Sequence, residues 1–123
     1  RFTQLHAANG AIITSDASYK VDVNDFTDAE KAVATKLRSL VKKYRMRESV
    51  ENKGEKARWH IGIIAQEVIK AFKDEGLDAF SYGMICNSTW DNIYDDEGRL
   101  IKEAGSRYGV RYDELLCFII ASI

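Results

Sequence analysis

The sequence contains no proline and two cysteines, and its formal net charge at pH 7 is −1. Cys86 and Cys117 stand far apart and form no metal-ligand spacing with His6 or His60, so we expect two buried thiols, no metal and no cofactor. No apolar run reaches the roughly 18 residues that indicate a membrane span. The near-zero charge favours neither nucleic acid nor an anionic membrane as a partner.

Signature motifs of several enzyme classes are also missing. The sequence has no P-loop, GxGxxG, HExxH or GxSxG pattern, which leaves no signature of a nucleotide-binding enzyme, a zinc protease or an esterase. With 123 residues, of which 46% are hydrophobic, the chain is long enough for one domain with one core. It begins without methionine, and we expect it to be a domain taken from the end of a longer protein.

The clearest local signal is a helix that begins after Thr27. Thr27 and Glu30 match a capping box, in which each side chain hydrogen-bonds the other residue's backbone. Apolar residues follow at helical spacing, namely Val33, Leu37, Leu40, Val41 and Tyr44. We therefore predict a long amphipathic helix over 28–44, whose lysines and arginines form a solvated outer face.

The middle of the chain reads as a loop, a strand and a second helix. Residues 48–56 are polar, and within them 52–54 predict an exposed turn, while residues 58–63 predict a short strand. Gly62 marks a place where the backbone passes close to a neighbour. A helix is predicted over 65–73, and Gly76 closes it.

The C-terminal third predicts a hairpin and an apolar helix. Strands are predicted near 81–87 and at 106–112, and the acidic run at 95–98 predicts a hairpin tip, because it lacks the ligand alternation of a calcium loop. Asp113 is predicted to cap a last helix that is apolar nearly all round and therefore buried on every side or packed against copies of itself. The expected fold class is a small α+β domain with short antiparallel strands, assembling as a homotrimer.

The stretch with the most chemical content is 11–23, where Ser15 and Lys20 form a Ser-x4-Lys pair. A serine hydroxyl needs a base to take its proton, and a lysine serves only when burial removes its own proton. An ordinary lysine has a pKa of about 10.4, whereas a base for neutral pH needs one of about 7–8. Apolar neighbours favour burial, namely Ile12, Ile13, Tyr19, Val21 and Val23. The spacing alone also fits a turn serine beside a solvated lysine.

A second polar pair, Gln66 and Glu67, admits two interpretations. Glu67 is a carboxylate that could stand beside a serine site, as in many catalytic arrangements. Residues of these types also cap or hydrogen-bond the start of a helix, and this is the commoner role. The sequence favours the structural interpretation.

Three motifs occur in a set order along the chain: SDASYK at 15–20, IGIIAQEV at 61–68 and YGVRYDELL at 108–116. Together they resemble the C-terminal intramolecular chaperone domain of bacteriophage tail spikes, tail fibres and neck appendages, as carried by endosialidase tail spikes. The resemblance spans roughly residues 14–123, and three ordered motifs are far more specific than the Ser-x4-Lys pair alone.

The resemblance implies a function and a set of site residues. It implies a homotrimer that guides folding of an upstream β-helical or β-prism fibre and then releases itself as a self-cleaving serine endopeptidase. Ser15 would be the nucleophile and Lys20 the general base, with Asp16 shaping the turn or assisting proton transfer. Residues 1–14 would end the fibre or link to it, and 15–123 would be the chaperone domain. Assembly would take place in the host cytoplasm, and cleavage would release the domain from the mature virion fibre.

Two peptide bonds remain candidates for the scissile bond. The family resemblance favours Ser15–Asp16, but a serine that attacks its own carbonyl would close a strained four-membered ring. Attack on the carbonyl of Thr14 is an ordinary N-to-O acyl shift, and attack on a neighbouring chain would also avoid the strain. Two other functions stay open: a permanent trimerisation or receptor-binding tip that never cuts, and a conventional serine hydrolase, for which the sequence offers no nucleophile turn.

Overall fold

The computed structural model describes residues 15–123, and over that range the chain forms four α-helices and six short strands. The helices are α1 (Asp28–Leu40), α2 (Arg47–Lys53), α3 (Ala65–Asp74) and α4 (Tyr112–Ile120). The strands are β1 (Lys42–Tyr44), β2 (His60–Gly62), β3 (Ile85–Trp90), β4 (Ile93–Tyr94), β5 (Leu100–Lys102) and β6 (Gly105–Val110). They pair antiparallel as β1–β2, β3–β6 and β4–β5. The predicted α+β class is confirmed.

The predicted capping box forms at the start of α1. The Thr27 Oγ1 accepts a hydrogen bond from the backbone N–H of Glu30 at 3.2 Å, and a Glu30 carboxylate oxygen accepts one from the backbone N–H of Thr27 at 2.7 Å. Each bond satisfies a backbone donor that a helix start leaves unpaired. The start of α1 is therefore determined by two residues three positions apart.

The predicted end of that helix is wrong by four residues. Val41 takes an extended conformation, and Lys42–Tyr44 forms β1, in which Lys42 pairs with Gly62 and Tyr44 with His60. Val41 and Tyr44 match the helical spacing, but so short a segment fits a strand equally well. Pairing with β2 decides between helix and strand. A local sequence pattern does not show that this pairing will form.

The polar segment 48–56 is also mostly helical, so the exposed turn predicted at 52–54 does not begin before Gly54. Arg47–Lys53 forms α2, and Gly54 ends it with a φ of 57°. Left-handed backbone of this kind is costly for residues other than glycine, which is why the helix stops there. The turn prediction was correct only at Gly54.

Three helices enclose the hydrophobic core. Helices α1 and α3 pack together and α4 packs on α1, and the turn at 79–81 and the first residue of β3 complete the enclosure. The largest fully buried side chains are Phe72, Leu37, Leu115, Val33 and Val68. Of the apolar stripe predicted for the first helix, Val33 and Leu37 are fully buried in this core, whereas Val41 is exposed. The described residues include no helix with the length and hydrophobicity needed to cross a membrane.

The hairpin predicted in the C-terminal third is confirmed. Strand β3 pairs with β6 from Ile85–Val110 to Trp90–Gly105, and β4–β5 continue the hairpin to its tip. At the tip, Asp95 accepts hydrogen bonds from the backbone N–H groups of Glu97 and Arg99 at 2.9 and 2.8 Å. These bonds lower the pKa of Asp95, with the Arg99 backbone N–H as the largest cause.

The last helix differs from its prediction in two ways. It starts at Tyr112 with Arg111 as the N-cap, so Asp113 lies in the first turn and does not cap it. It is also not buried all round in the single chain, because Leu116 and Ile120 are 49% and 64% exposed and Ile123 is exposed beyond them. These three residues, spaced at i, i+4 and i+7, form what we call the α4 stripe, an apolar surface that the described part of the chain leaves exposed.

Gly62 provides a test of close packing in the fold. A Cβ built at Gly62 would collide with the Tyr112 hydroxyl oxygen and would lie 3.2 Å from the Tyr44 ring, so the predicted close approach is confirmed. The Tyr112 hydroxyl also accepts a hydrogen bond from the backbone N–H of Ile63 at 3.1 Å, which holds the ring in place.

We expect Gly62→Ala to lower the free energy of unfolding by about 1–3 kcal/mol, because two ring systems must move. Gly83→Ala is the matched control, since its Cβ would meet only the flexible carboxylate of Glu114. Urea unfolding followed by circular dichroism measures both. Equal losses in the two variants would contradict the packing argument.

Candidate functional site

Ser15 and Lys20 lie in contact at the beginning of the described chain. The Lys20 Nζ donates a hydrogen bond to the Ser15 Oγ at 2.9 Å. A 3₁₀ turn over Ala17–Tyr19 brings the two side chains together by folding the five-residue interval back on itself. The Ser-x4-Lys pair of the sequence is therefore a spatial pair as well.

Asp16 holds this turn. Its carboxylate accepts hydrogen bonds from both the backbone N–H and the hydroxyl of Ser18, each at 2.9 Å. The backbone bond from Ser18 is the larger of the two causes that lower the pKa of Asp16. These are the contacts of a residue that shapes the turn, the first of the two roles expected for Asp16.

The burial expected around Lys20 is not found among residues 15–123. Ser15 and Lys20 are both exposed, and Val21 and Val23 are 85% and 81% exposed. Tyr19 is exposed as well, and Ile12, Ile13 and Thr14 lie outside the described residues. Val21 and Val23 point their surface to solvent in the described chain and do not cover the lysine.

A cavity of about 520 Å³ opens beside the pair, and we call it the dyad cavity. Its walls come from the segment before α1, the turn before β3 and helix α4. The lining residues are Ser15, Lys20, Phe26, Tyr82, Gly83, Met84, Asp113, Glu114, Cys117 and Phe118. Most of its surface is apolar, and Lys20, Asp113 and Glu114 supply the charges. This composition is that of a site that receives an apolar group close to the Ser15 hydroxyl.

Both cysteines were predicted to be buried thiols, and this is wrong for the single chain. Cys117 is exposed on α4 and lines the dyad cavity, and Cys86 on β3 is half-buried. Neither forms a disulfide. Among the described residues no three side chains of metal-binding type are grouped as a metal site would require.

Gln66 and Glu67 lie away from the serine. Gln66 lines a separate cavity with Tyr44 and Tyr108, and Glu67 lies in a cleft between α1 and α3. One carboxylate oxygen of Glu67 is buried without a hydrogen-bond partner in the described chain. The structure therefore does not bring the two residues to the Ser15–Lys20 pair.

Sequence reasoning missed the residues that build the cavity walls. Phe26, Met84 and Glu114 come from three separate parts of the chain and meet only in the folded domain. Phe118 was predicted only as part of an apolar helix. The YGVRYDELL motif contains Asp113 and Glu114, and it was the only signal for this part of the site.

A hydrogen bond between Tyr82 and Glu30 joins the cavity wall to the start of α1. The Tyr82 hydroxyl donates to a Glu30 carboxylate oxygen at 2.6 Å. This bond is the main cause that raises the pKa of Tyr82 to about 12 and the main cause that lowers the pKa of Glu30 below its usual 4.5. Both side chains are partly buried.

The two pKa shifts predict that stability is lost both at low pH and at high pH. The lowered carboxyl pKa adds stability that is present above pH 4.5 and lost as pH falls through the folded value. The raised phenol pKa adds stability that is present below pH 10 and lost as pH rises toward about 12. We expect Tyr82→Phe to lower the free energy of unfolding by about 1 kcal/mol at pH 7 and by less above pH 10.

Urea midpoints of both proteins from pH 7 to 12 measure this difference. Tyr94→Phe, at an exposed tyrosine on β4, is the control for general alkaline effects. A constant difference between Tyr82→Phe and the parent across the alkaline range would contradict the assignment.

Comparison with known proteins places this geometry in a family. Residues 15–77 match the family model described as "Chaperone of endosialidase", so the match begins at Ser15. A probable tail spike protein of Klebsiella phage 0507-KN2-1 is 36% identical over 139 residues, which cover 95% of this chain and 11% of that protein. The tail spike protein of Escherichia virus K5 is 41% identical over 109 residues, which cover 85% of this chain and 17% of that protein. The chain thus corresponds to a small part of these relatives' length.

Two solved structures share the fold. One, titled as a novel intramolecular chaperone, has a TM-score of 0.72 at 35% identity and covers 88% of this chain and 93% of its own. The other is the carboxy-terminal domain of the bacteriophage T5 L-shaped tail fibre with its intramolecular chaperone domain. It has a TM-score of 0.75 at 29% identity and covers 99% of this chain and 31% of its own. On the family match, the sequence identities and the shared fold, the chain belongs to the chaperone-of-endosialidase family.

Proposed function

We propose that this chain trimerises, guides folding of a phage tail spike or fibre that precedes it, and then releases itself by cutting its own chain beside Ser15. The observation that carries the proposal is the 2.9 Å contact between the Ser15 Oγ and the Lys20 Nζ, at the residue where the family match begins. In this proposal residues 1–14 belong to the end of the fibre or to a linker, and residues 15–123 form the chaperone domain.

The contact supplies what acyl transfer requires. When Lys20 is neutral, its lone pair can accept the Ser15 Oγ proton across the same 2.9 Å at which it now donates. The hydroxyl oxygen then attacks a carbonyl carbon, forms an ester and expels an amine, to which Lys20 returns the proton. A water molecule hydrolyses the ester, so the net reaction is hydrolysis of one peptide bond, and Ser15 is regenerated.

The fixed position of Asp16 is relevant to the choice of scissile bond. The Asp16 carbonyl accepts a hydrogen bond from the Tyr19 backbone N–H at 3.0 Å, and its side chain is bound to Ser18, so Asp16 is fixed on the leaving side of Ser15–Asp16. We keep Ser15–Asp16 as the favoured bond, on the family resemblance, with attack by the Ser15 of a neighbouring copy. Thr14–Ser15 is the alternative within one chain.

Assembly supplies the burial that the single chain lacks. Lys20 is exposed, and the α4 stripe is an apolar surface that residues 15–123 leave exposed. Packing three copies together would cover apolar surface of this kind and would exclude water from nearby groups. In this proposal cleavage follows trimer formation, because only the assembled protein excludes water from the Ser15–Lys20 pair.

A trimerising helper suits an interwound fibre for a physical reason. Strands that pair between three chains must find their register among distant partners, which is slow. A domain that trimerises first raises the local concentration of the strands and aligns their ends. Its later removal leaves a fibre that is held by a high barrier to unfolding.

The exposure of Lys20 also favours a second candidate, a permanent trimerisation domain that never cuts. Both candidates predict a trimer, and only the first predicts two fragments. The deciding experiment is the intact mass, under denaturing conditions, of the chain expressed with its upstream segment. Native mass of the same sample reports the oligomer, so a trimer with a single uncut mass would leave the second candidate.

A further inference from the structure

The exposed side of α4 combines apolar and acidic residues. Asp113 and Cys117 lie three positions before and one position after Leu116, so they share the side of the helix that carries the α4 stripe, and both are exposed. Residues 112–123 contain two acidic residues and no lysine or arginine. This side of α4 is therefore an apolar surface with an acidic end.

A second exposed surface lies on the outer side of the β1–β2 pair. Lys43 is opposite Ile61 in the register, so their side chains lie on the side away from Gly62, which packs toward α4. The cationic groups of Lys43 and Arg45 lie 4.8 and 4.7 Å from the ring centroid of Trp59. Trp59 and Ile61 are 57% and 78% exposed. We call Lys43, Arg45, Trp59 and Ile61 the basic face.

Positive charge is concentrated around the basic face. Residues 42–59 contain seven lysines and arginines and three glutamates, a net charge of +4, whereas the whole chain has a net charge of −1. Such a surface fits a partner that combines negative charge with apolar groups. A nucleic acid would supply the charge but no aliphatic group to cover Ile61. The α4 stripe with Asp113 supplies both.

We propose that the basic face of one copy packs on the α4 stripe and Asp113 of the next copy, so that each chain uses both surfaces. The inference deepens the proposed trimer and rests on it. Two different surfaces that meet head to tail form a closed ring when the rotation between copies allows it, and a trimer is such a ring. Packing of α4 against α4 would instead bring acidic residues together, which is unfavourable.

The proposed contact lies beside the dyad cavity. Asp113 and Cys117 belong to the side of α4 that the neighbouring copy covers, and both also line the cavity. The Trp59 ring and the cationic groups of the neighbour would then lie at the edge of the cavity and exclude water from the Ser15–Lys20 pair. In this arrangement the site is complete only when a second copy is in place.

Two single substitutions each disrupt one of the two surfaces. Ile61→Asp places a carboxylate on the basic face, where the acidic end of the neighbouring α4 would repel it. Ile120→Asp places a carboxylate within the apolar α4 stripe, where burial without a partner is costly. The two isoleucines are 78% and 64% exposed, so we expect both variants to fold, which circular dichroism checks. Ile101→Asp, at an isoleucine on β5 that is 65% exposed, is the matched control.

The experiment uses the 123-residue chain with Ser15→Ala, so that it stays in one piece. Native mass spectrometry measures the oligomer of each variant alone and of an equal mixture. We expect Ile61→Asp and Ile120→Asp alone to be monomers at a concentration where the parent and Ile101→Asp are trimers. In the mixture one intact basic face meets one intact α4 stripe, so we expect a dimer with one copy of each variant.

The reactivity of Cys117 shows which chain of the mixed dimer is covered. N-ethylmaleimide alkylates exposed thiols, and the peptide that contains Cys117 also contains position 120, so its mass identifies the chain. Cys117 of the Ile61→Asp chain should react about tenfold more slowly in the mixture than alone, as when nine in ten copies are paired. Cys117 of the Ile120→Asp chain should keep its rate.

The outcomes separate the inference from the proposed function. A trimer of Ile61→Asp alone would overturn the inference and leave the proposed trimer intact, since α4 would then pack without the basic face. Variants that stay monomeric when mixed, or that protect Cys117 in both chains, would also overturn it. Protection of Cys117 that requires the upstream fibre would assign the α4 stripe to the fibre instead. A parent that stays monomeric would overturn both the inference and the proposed trimer.

Discussion

Ser15→Ala and Lys20→Ala are each expected to abolish self-cleavage, with a loss of at least about a thousandfold in rate, because nucleophile and base act as one unit. Ser15→Ala removes the attacking oxygen, and Lys20→Ala removes the group that lies 2.9 Å from it. The intact mass of each variant, expressed with the upstream segment, should be that of the uncut chain. The parent should give two fragments that meet at Ser15.

The turn itself offers a matched control. Ser18 lies in the same 3₁₀ turn, and its hydroxyl bonds to Asp16 and not to Lys20. Ser18→Ala keeps the backbone hydrogen bond from Ser18 to Asp16 that holds the turn, so it should cleave at nearly the parent rate. Lys31→Ala, at an exposed lysine on α1, should do the same. Fragments from either dyad variant would assign the chemistry to other residues. A folded parent trimer that remains uncut would leave only the permanent assembly domain.

Phe72→Ala is expected to cause the largest loss of stability, about 3–5 kcal/mol in the free energy of unfolding. The side chain is fully buried, and its ring lies 5.0 Å from Tyr82 and 5.8 Å from Phe118, measured between ring centroids. Both neighbours line the dyad cavity. The substitution therefore removes the support behind the cavity wall as well as the centre of the core.

Phe80→Ala is the control for this prediction, because the same atoms are removed from a ring that is 45% exposed. Its cost should stay below about 1 kcal/mol. Urea unfolding at pH 7 by circular dichroism compares the two variants directly. Similar midpoints for Phe72→Ala and Phe80→Ala would show that the core does not depend on Phe72.

The parts of the fold that local residues determine could be predicted from the sequence. Thr27 and Glu30 determine the start of α1 through their own side chains, and Gly76, at a φ of 77°, ends the segment after α3. The tip at Asp95 is likewise built from neighbours. The predictions that failed concern segments whose structure depends on partners far along the chain. Strand β1 exists because residues 42–44 pair with residues 60–62.

The candidate site likewise has a part that could be predicted from the sequence and a part that could not. The Ser15–Lys20 pair was predictable because a single turn, capped by Asp16, brings the two residues together. The cavity beside it was not, since Phe26 and Phe118 meet only after α4 packs on α1. Burial of Lys20 was inferred from its apolar neighbours, yet hydrophobic character alone does not say which surface will cover a residue.

The two tryptophans lie outside the core, and this decides what fluorescence will report. Trp59 lies under Lys43 and Arg45, with the cationic groups 4.8 and 4.7 Å from its ring centroid. Trp90 lies under Lys102 at 4.2 Å, on the long hairpin. Intrinsic tryptophan emission therefore reports on the periphery of the domain, whereas far-ultraviolet circular dichroism reports on the helices. Coincident transitions by the two signals would show that hairpin and helical core melt as one cooperative unit.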